Sequence, residues 1–171
     1  MTKLNAFLII IIAILIIIVG SGAEIRVELG DRSLDKSLEA DISKAVANYY
    51  HGFSNFSPEQ IARELYGAPL SRVGLDGTTT VWNTETEVAD MVRGFIANLK
   101  EQQWHHSDMP VYEICSLGPN TALISGVFVR YREDGSEISQ TPLTYLYQKN
   151  TSGWRVSSMI YRESDVDILC V

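Results

Sequence analysis

Residues 121–163 read T-A-L-I-S-G-V-F-V-R-Y-R (121–132), E-D-G-S (133–136), E-I-S-Q-T-P-L-T-Y-L-Y-Q-K (137–149), N-T-S-G (150–153) and W-R-V-S-S-M-I-Y-R-E (154–163). The long segments are rich in β-branched and aromatic residues. Each short one carries a late glycine, Gly135 or Gly153, where a tight turn needs a positive φ angle. The pattern predicts three antiparallel strands joined by two hairpin turns. Because such strands exceed the usual length of about five to six residues, we expect the sheet to bend around the rest of the chain.

Two helices are predicted upstream. Apolar residues spaced by three and four from Leu34 to Phe53 indicate an amphipathic helix of about 20 residues. The segment S-P-E-Q at 57–60 has the form of a capping box with proline in the first turn, and Gly67 and Pro69 end the short helix that follows.

The remaining predictions connect these helices to the three strands. They are strands at 70–75 and 78–82 around an Asp76-Gly77 turn, a third helix from a capping box at 84–87 to about Gln103, an irregular stretch at 104–110 and a strand at 111–117. Helices that precede a run of antiparallel strands predict an α+β fold with the helices on one face of a curved sheet. Residues 34–163 would form this single domain.

Composition limits the possible partners. The formal net charge is −7, and no cluster of Lys and Arg is present, which argues against nucleic acid as a partner. No motif points to a cofactor, and the spacing of the two cysteines matches no zinc or redox motif. We therefore expect neither a cofactor nor a metal ion.

The N-terminal residues 1–23 have the order of a signal peptide. Lys3 precedes an apolar run at 6–19, and small residues at 20–23 suit cleavage before Glu24. An uncleaved membrane anchor is the alternative. The sequence therefore predicts a secreted or periplasmic domain, or one anchored to a membrane with the domain outside the cytosol, and the domain would touch a membrane only if the segment is uncleaved. Residues 24–33 are predicted to be a linker.

The C-terminal tail, residues 164–171, ends in apolar residues and is predicted to dock along the sheet. If it lay beside the strand at 111–117, Cys170 could meet Cys115 in a disulfide, which an oxidising compartment would permit. A free Cys115 buried as a small hydrophobic residue is the alternative.

Several segments together resemble the nuclear transport factor 2-like superfamily, in particular its SnoaL-like and uncharacterised small members. They are Tyr49-Tyr50, Leu65-Tyr66, Thr84 with Glu87, Asp134-Gly135-Ser136 and Gly153-Trp154-Arg155-Val156, in the element order given above. The resemblance implies a cone-shaped curved antiparallel sheet wrapped around N-terminal helices, a cystatin-like roll, with a pocket between helices and sheet. It also implies a dimer, since domains of this superfamily are often dimeric.

Enzymes of this superfamily place carboxylates or histidines in the cone with a tyrosine on the first helix. Here the segments 70–75 and 121–132 carry no acid at the corresponding positions, so the isomerase mechanism cannot be carried over. His106 and Tyr50 remain as candidates for a lyase or isomerase, with His106 acting as a base near neutral pH. The alternative is that His105, His106 and Asp108 lie in a solvated loop without a catalytic role. A metal site is not expected at these three residues, because adjacent side chains in an extended segment point apart.

The predicted pocket lining follows from the same resemblance. Its residues are Tyr50, Phe53, Trp82, Trp104, Phe128, Arg130 and Gln140. Ordinary core burial is the alternative for the aromatic residues, and exposure on the outer face is the alternative for Arg130 and Gln140. A domain without acids in its cone favours a module that binds a small apolar ligand, or an interaction module, over an enzyme. A homodimer is also expected, because Tyr145 or Tyr147 would otherwise leave an apolar patch on the outer face of the sheet.

Overall fold

The computed structural model describes residues 35–163, which form three helices and seven strands. In chain order these are α1 (Lys36–Asn55), α2 (Pro58–Glu64), β1 (Tyr66–Val73), β2 (Thr79–Trp82), α3 (Glu85–Glu101), β3 (His106–Asp108), β4 (Tyr112–Gly118), β5 (Thr121–Tyr131), β6 (Glu137–Asn150) and β7 (Gly153–Tyr161). The predicted leader at 1–23, linker at 24–33 and tail at 164–171 lie outside the described residues. Within residues 35–163, no helix is long and apolar enough to span a membrane.

All seven strands belong to one sheet, in the order β2-β1-β7-β6-β5-β3, with β4 also paired to β5. Neighbouring strands are antiparallel except β1 and β7, which are parallel. The meander β5–β6–β7 has strands of 11, 14 and 9 residues. Its register shifts at Arg130/Tyr131 and at Leu146/Tyr147, which are irregularities of the kind that bend a sheet. The predicted α+β fold with a curved antiparallel sheet is confirmed, and the described sheet does not close on itself.

The helices begin where side chains satisfy the free backbone N–H groups of their first turns. Asp35 caps α1 by accepting from the backbone of Ser37 at 2.7 Å. The predicted capping boxes of α2 (Ser57 with Gln60) and α3 (Thr84 with Glu87) are both formed. These starts place α1 and α3 so that their apolar faces meet the sheet.

The core lies between the helices and the concave inner face of the sheet. Side chains alternate along β5, with Ala122, Ile124 and Phe128 buried on the inner face. Tyr145 and Tyr147 of β6 also point into this core, and both are almost completely buried. The prediction that one of them forms an exposed patch on the outer face is therefore wrong, because the register of β6 directs both side chains inward.

Two local predictions also fail. Strand β1 starts at Tyr66, before Gly67 and Pro69, because Tyr66 already pairs with Val156 of β7. Pro69 lies within the register shift between Tyr66 and Ser71, where its lack of an N–H costs no ladder hydrogen bond. The stretch at 104–110, expected to be irregular, contains β3, which pairs with β5.

The outer face carries hydroxyl pairs and one cysteine. Ser125 and Thr144 are hydrogen-bonded at 3.0 Å, and Ser71 and Ser158 at 2.8 Å. Cys115 lies opposite Leu123 on the same face and is disulfide-bonded. Cys170, the only other cysteine of the chain, lies outside the described residues.

Candidate functional site

A cavity of about 40 Å³ lies between the helices and the inner face of the sheet. Its walls come from every layer of the domain: Tyr49, Tyr50, Phe53, Tyr66, Phe95, Ser107, Phe128, Arg130, Leu143, Tyr145, Met159 and Tyr161. We call this the central cavity. Eight of these twelve side chains belong to the buried core, and only Phe95, Ser107, Arg130 and Tyr161 are partly exposed. The four partly exposed residues form the mouth, and the buried ones form the walls and floor.

The floor is a cluster of tyrosines that join the first helix to the sheet. The hydroxyl groups of Tyr49 on α1 and Tyr66 on β1 are 2.6 Å apart, and Tyr66 also donates to the sulfur of Met159 at 3.9 Å. The Tyr50 hydroxyl donates to that of Tyr145 at 3.5 Å. The rings pack mostly edge to face, as Tyr49 does with Tyr50 and with Tyr66, an arrangement that aromatic quadrupoles favour.

Burial keeps these phenols protonated. It raises the pKa of Tyr145 to about 12 and moves the pKa values of Tyr49, Tyr50 and Tyr66 further above their ordinary range, because a phenolate would lose its hydration in the core. At neutral pH the floor therefore offers hydroxyl groups that donate and accept hydrogen bonds, and it offers no negative charge.

The mouth carries Arg130, the one charged residue among the described lining residues. Its guanidinium lies 5.1 Å from the ring centroid of Phe95 and 4.8 Å from that of Phe128. It also donates to the hydroxyl of Ser139 at 3.2 Å. Burial lowers the pKa of Arg130, but an arginine side chain remains protonated in proteins. The cavity thus has a hydroxyl-bearing aromatic floor and a positive mouth.

Among the described residues, none of those that line the central cavity is Asp, Glu or His. General acid–base catalysis needs a group that gains or loses a proton near the working pH, within hydrogen-bond reach of the substrate. The lining offers tyrosines whose pKa values are raised and an arginine. The described residues also contain no group of three or more His, Cys, Asp or Glu side chains that could hold a metal ion.

The structure brings four of the predicted pocket residues together around the cavity: Tyr50, Phe53, Phe128 and Arg130. Tyr50 and Phe53 lie on consecutive turns of α1, and Phe128 and Arg130 alternate along the inner face of β5. The periodicity of helix and strand was the signal that selected them.

The other candidates lie elsewhere. Strand alternation on β3 directs Ser107 into the cavity and turns His106 away from it, so that the His106 ring stacks on Tyr131 with centroids 5.0 Å apart. The structure therefore does not bring His106 to Tyr50. Gln140 lines a groove of about 410 Å³ on the outer face, where it donates to Glu137 at 2.8 Å.

Trp82 and Trp104 also lie outside the cavity lining. Trp82, at the end of edge strand β2, is half-buried beneath the guanidinium of Arg72, which is 5.8 Å from its ring centroid. Trp104 packs against Phe53 at 5.9 Å between ring centroids and donates its indole N–H to Ser107 at 2.9 Å. It supports the mouth without lining it.

Sequence reasoning missed most of the remaining lining, including Tyr66, Phe95, Ser107 and Met159. The sequence pattern places Tyr66 at the end of a helix, whereas it opens β1, and places Ser107 in an irregular stretch, whereas it lies in β3. The available signals were the helical spacing from Val88 to Phe95 and the alternation that puts Met159 and Tyr161 on one face of β7.

Comparison with known proteins identifies the fold. A family model described as NTF2-like protein (DUF6841) matches residues 39–164. No curated protein matches the sequence.

Solved structures of the same architecture span most of the domain. Aln2 from a Streptomyces species is similar with a TM-score of 0.60 and 10% identity, over 77% of this chain and 94% of that one. A protein of unknown function with a cystatin-like fold from Nostoc punctiforme gives a TM-score of 0.57 and 14% identity, over 80% and 98% of the two chains. The yeast UBP3-associated protein BRE5 gives 0.56 and 12%, over 73% and 95%. At such identities the likeness concerns the fold alone.

Proposed function

The chain belongs to the NTF2-like protein family DUF6841, and on that premise we propose that its domain binds a small apolar molecule in the central cavity. The predicted resemblance to the nuclear transport factor 2-like superfamily is confirmed. The observation that carries the proposal is the lining itself, in which buried aromatic and aliphatic side chains surround a space reached through a partly exposed mouth. Such concave, mostly apolar sites with a few placed polar groups are typical of small-molecule binding.

The size of the cavity limits the ligand. A space of about 40 Å³ holds only a few heavy atoms, since one water needs about 10–15 Å³ on the same measure. Leu143 and Met159 provide the aliphatic part of the wall, and each methylene group transferred there from water contributes about 0.8 kcal/mol. The proposal is therefore a short or narrow ligand.

The alternative, a lyase or isomerase that uses His106 with Tyr50, has less support. Proton abstraction needs a positioned base, and the part of the chain that the structure describes contributes neither a carboxylate nor a histidine to the cavity lining. The Tyr50 hydroxyl faces Tyr145, another neutral phenol. The geometry favours binding over catalysis.

Xenon, a small apolar probe, tests the proposal. Methyl NMR signals of Leu143 and Met159 are expected to shift as xenon is added, whereas that of Val127 on the outer face is not. Leu143→Phe fills the cavity and should abolish the response, whereas Leu146→Phe, on the opposite face of the same strand, should preserve it. Shifts no larger at Leu143 and Met159 than at Val127 would contradict the proposal.

A second candidate function is an interaction module that forms a homodimer. Two apolar residues at the β4 edge are exposed, Val111 at 77% and Leu117 at 60%, and Val111 borders the outer-face groove. Exposed apolar groups next to a groove support association between chains. Light scattering coupled to size exclusion should give twice the mass of one chain, and Val111→Asp should give the mass of one chain.

We also propose that the domain is exported, or anchored with the domain outside the cytosol. The signal-peptide order of residues 1–23 supports this, and so does the disulfide-bonded state of Cys115, since disulfides persist in oxidising compartments. N-terminal sequencing of the protein from its native cells should find Glu24 first if the leader is cleaved. A cytosolic protein that starts at Met1 would overturn the proposal.

A further inference from the structure

Arg130 is a half-buried cation without an anionic partner among residues 35–163. The ion pairs of this part of the chain are Arg63–Glu64, Arg93–Glu59, Arg93–Asp90 and Lys149–Asp41, and none includes Arg130. A charge that leaves water loses hydration energy, which a carboxylate partner normally offsets. Here the aromatic faces of Phe95 and Phe128 and one neutral hydroxyl replace that partner.

Most N–H donors of the Arg130 guanidinium are not used by hydrogen bonds within the described residues. An arginine carries five N–H donors. Among the described residues, Arg130 donates a hydrogen bond only to Ser139. The remaining donors lie at the mouth of the central cavity, between rings that hold the guanidinium in place. The paired N–H groups of a guanidinium form a planar fork that matches the two oxygens of a carboxylate.

Ser107 adds a second donor beside Arg130. The two residues are directly paired across β3 and β5, and Arg130 is paired in turn with Ser139 of β6, so that the three form one row across the mouth. The Ser107 oxygen accepts the indole N–H of Trp104 at 2.9 Å. Its own hydroxyl hydrogen is therefore available to an acceptor in the cavity.

Beyond this row the lining is neutral. The phenols of the floor stay protonated at neutral pH, and Leu143, Met159 and Phe128 complete an apolar interior. A ligand that fits both ends has an anionic group at the mouth and a short hydrocarbon part inside.

Building on the proposed function, we propose that the central cavity binds a short-chain monocarboxylate, with its carboxylate on Arg130 and Ser107 and its alkyl group against Leu143 and Met159. A planar carboxylate with two oxygens fits the guanidinium fork, and its small size suits a cavity of about 40 Å³. A bulkier tetrahedral phosphate finds no second cation at this mouth among residues 35–163, since Arg130 is the only charged residue that they contribute to the lining.

Matched acid and amide probes test the inference. Acetate, propionate and butyrate are titrated by NMR beside acetamide, propionamide and butyramide, which have the same shape without the charge. Charged hydrogen bonds contribute about 1.5–3 kcal/mol, so each acid should bind on the order of tenfold or more tightly than its amide. Inorganic phosphate serves as the third probe, and its binding as tightly as butyrate would overturn the choice of a carboxylate.

Variants separate the roles of the two donors. Arg130→Gln should remove the preference for acid over amide, and Ser107→Ala should weaken butyrate binding severalfold. Arg132→Gln is the matched control, because Arg132 does not line the central cavity and donates instead to Ser136 and to the backbone of Glu137 at the neighbouring turn. An unchanged acid preference in Arg130→Gln would overturn the inference.

The failure of this inference is distinguishable from the failure of the proposed function. If xenon enters the cavity but acids and amides bind equally, or neither binds, the carboxylate assignment is wrong and the cavity remains a site for a neutral apolar ligand. If xenon does not enter and no acid shifts the Leu143 and Met159 signals, both proposals fail. The acid–amide comparison uses the unaltered protein, so it holds even if Arg130→Gln does not fold.

Discussion

The hydroxyl groups of Tyr49 and Tyr66 lie 2.6 Å apart in the core and connect helix α1 to the first strand of the sheet. Tyr147, packed nearby on β6, is as deeply buried, but its hydroxyl has no hydrogen-bond partner among the described residues. Tyr49 and Tyr147 therefore differ in whether the buried hydroxyl has a hydrogen-bond partner among the described residues, and substitution by phenylalanine can measure this difference.

Removing the hydroxyl from Tyr49 should destabilise the protein. Tyr49→Phe leaves the Tyr66 hydroxyl without this partner and should lower the free energy of unfolding by about 1 kcal/mol. Tyr147→Phe is the control and should be neutral or stabilising, because it removes a buried polar group that has no partner among the described residues. Urea denaturation measures both, and equal losses would contradict the assigned hydrogen bonding.

The glycines offer a second matched pair. A Cβ atom at Gly126 would lie 2.6 Å from the backbone oxygen of Val111 and 2.9 Å from the sulfur of Met109. Gly126→Ala should therefore cost about 1–3 kcal/mol of stability. At Gly94, inside α3, a Cβ atom meets nothing within 4 Å, and Gly94→Ala should stabilise by about 0.5–1 kcal/mol. A Gly126→Ala variant that unfolds at the same midpoint as the unaltered protein, or at a higher one, would refute the close approach of Val111 to Gly126.

The buried tyrosines should make unfolding sensitive to alkali. Burial raises the pKa of Tyr145 from 10.0 to about 12, and the pKa values of Tyr49, Tyr50, Tyr66 and Tyr147 are also raised. The folded state thus holds these protons more tightly than the unfolded state. The resulting stability is fully present below pH 10 and is lost as the pH rises through the raised values. Phenolate absorbance from these residues should appear together with loss of circular dichroism, and their ionisation in the intact fold near pH 10 would speak against the tyrosine floor.

Cys115 provides a prediction about covalent structure. It is disulfide-bonded, and the chain has one other cysteine, Cys170. Denatured, unreduced protein with the mass of one chain should therefore show no free thiols. Two free thiols per chain would exclude the bridge.

The sequence was sufficient for the features that depend on local patterns. Capping boxes at Ser57 and Thr84 and the late glycines of the meander fixed the helix starts and the turns, because these depend on residues a few positions apart. The curved α+β arrangement followed from the order of the elements.

The composition of the cavity depended on contacts between distant segments. Tyr66 reads as the end of α2 until its pairing with Val156 of β7 is known, and Ser107 faces inward only because β3 pairs with β5. A strand of three residues has no periodicity to detect, so the sequence does not show that Ser107, and not His106, lines the site.

Contacts between butyrate and the cavity wall test the account most directly. In an NMR experiment that detects close protons of ligand and protein, the terminal methyl group of bound butyrate should give cross-peaks to the methyl groups of Leu143 and Met159 and none to Val127. Arg130→Gln should weaken these cross-peaks to the level that butyramide gives at the same concentration, and Arg132→Gln should leave them unchanged. Cross-peaks confined to Val127 and Val129 in the outer-face groove, or none at saturating butyrate, would contradict the account.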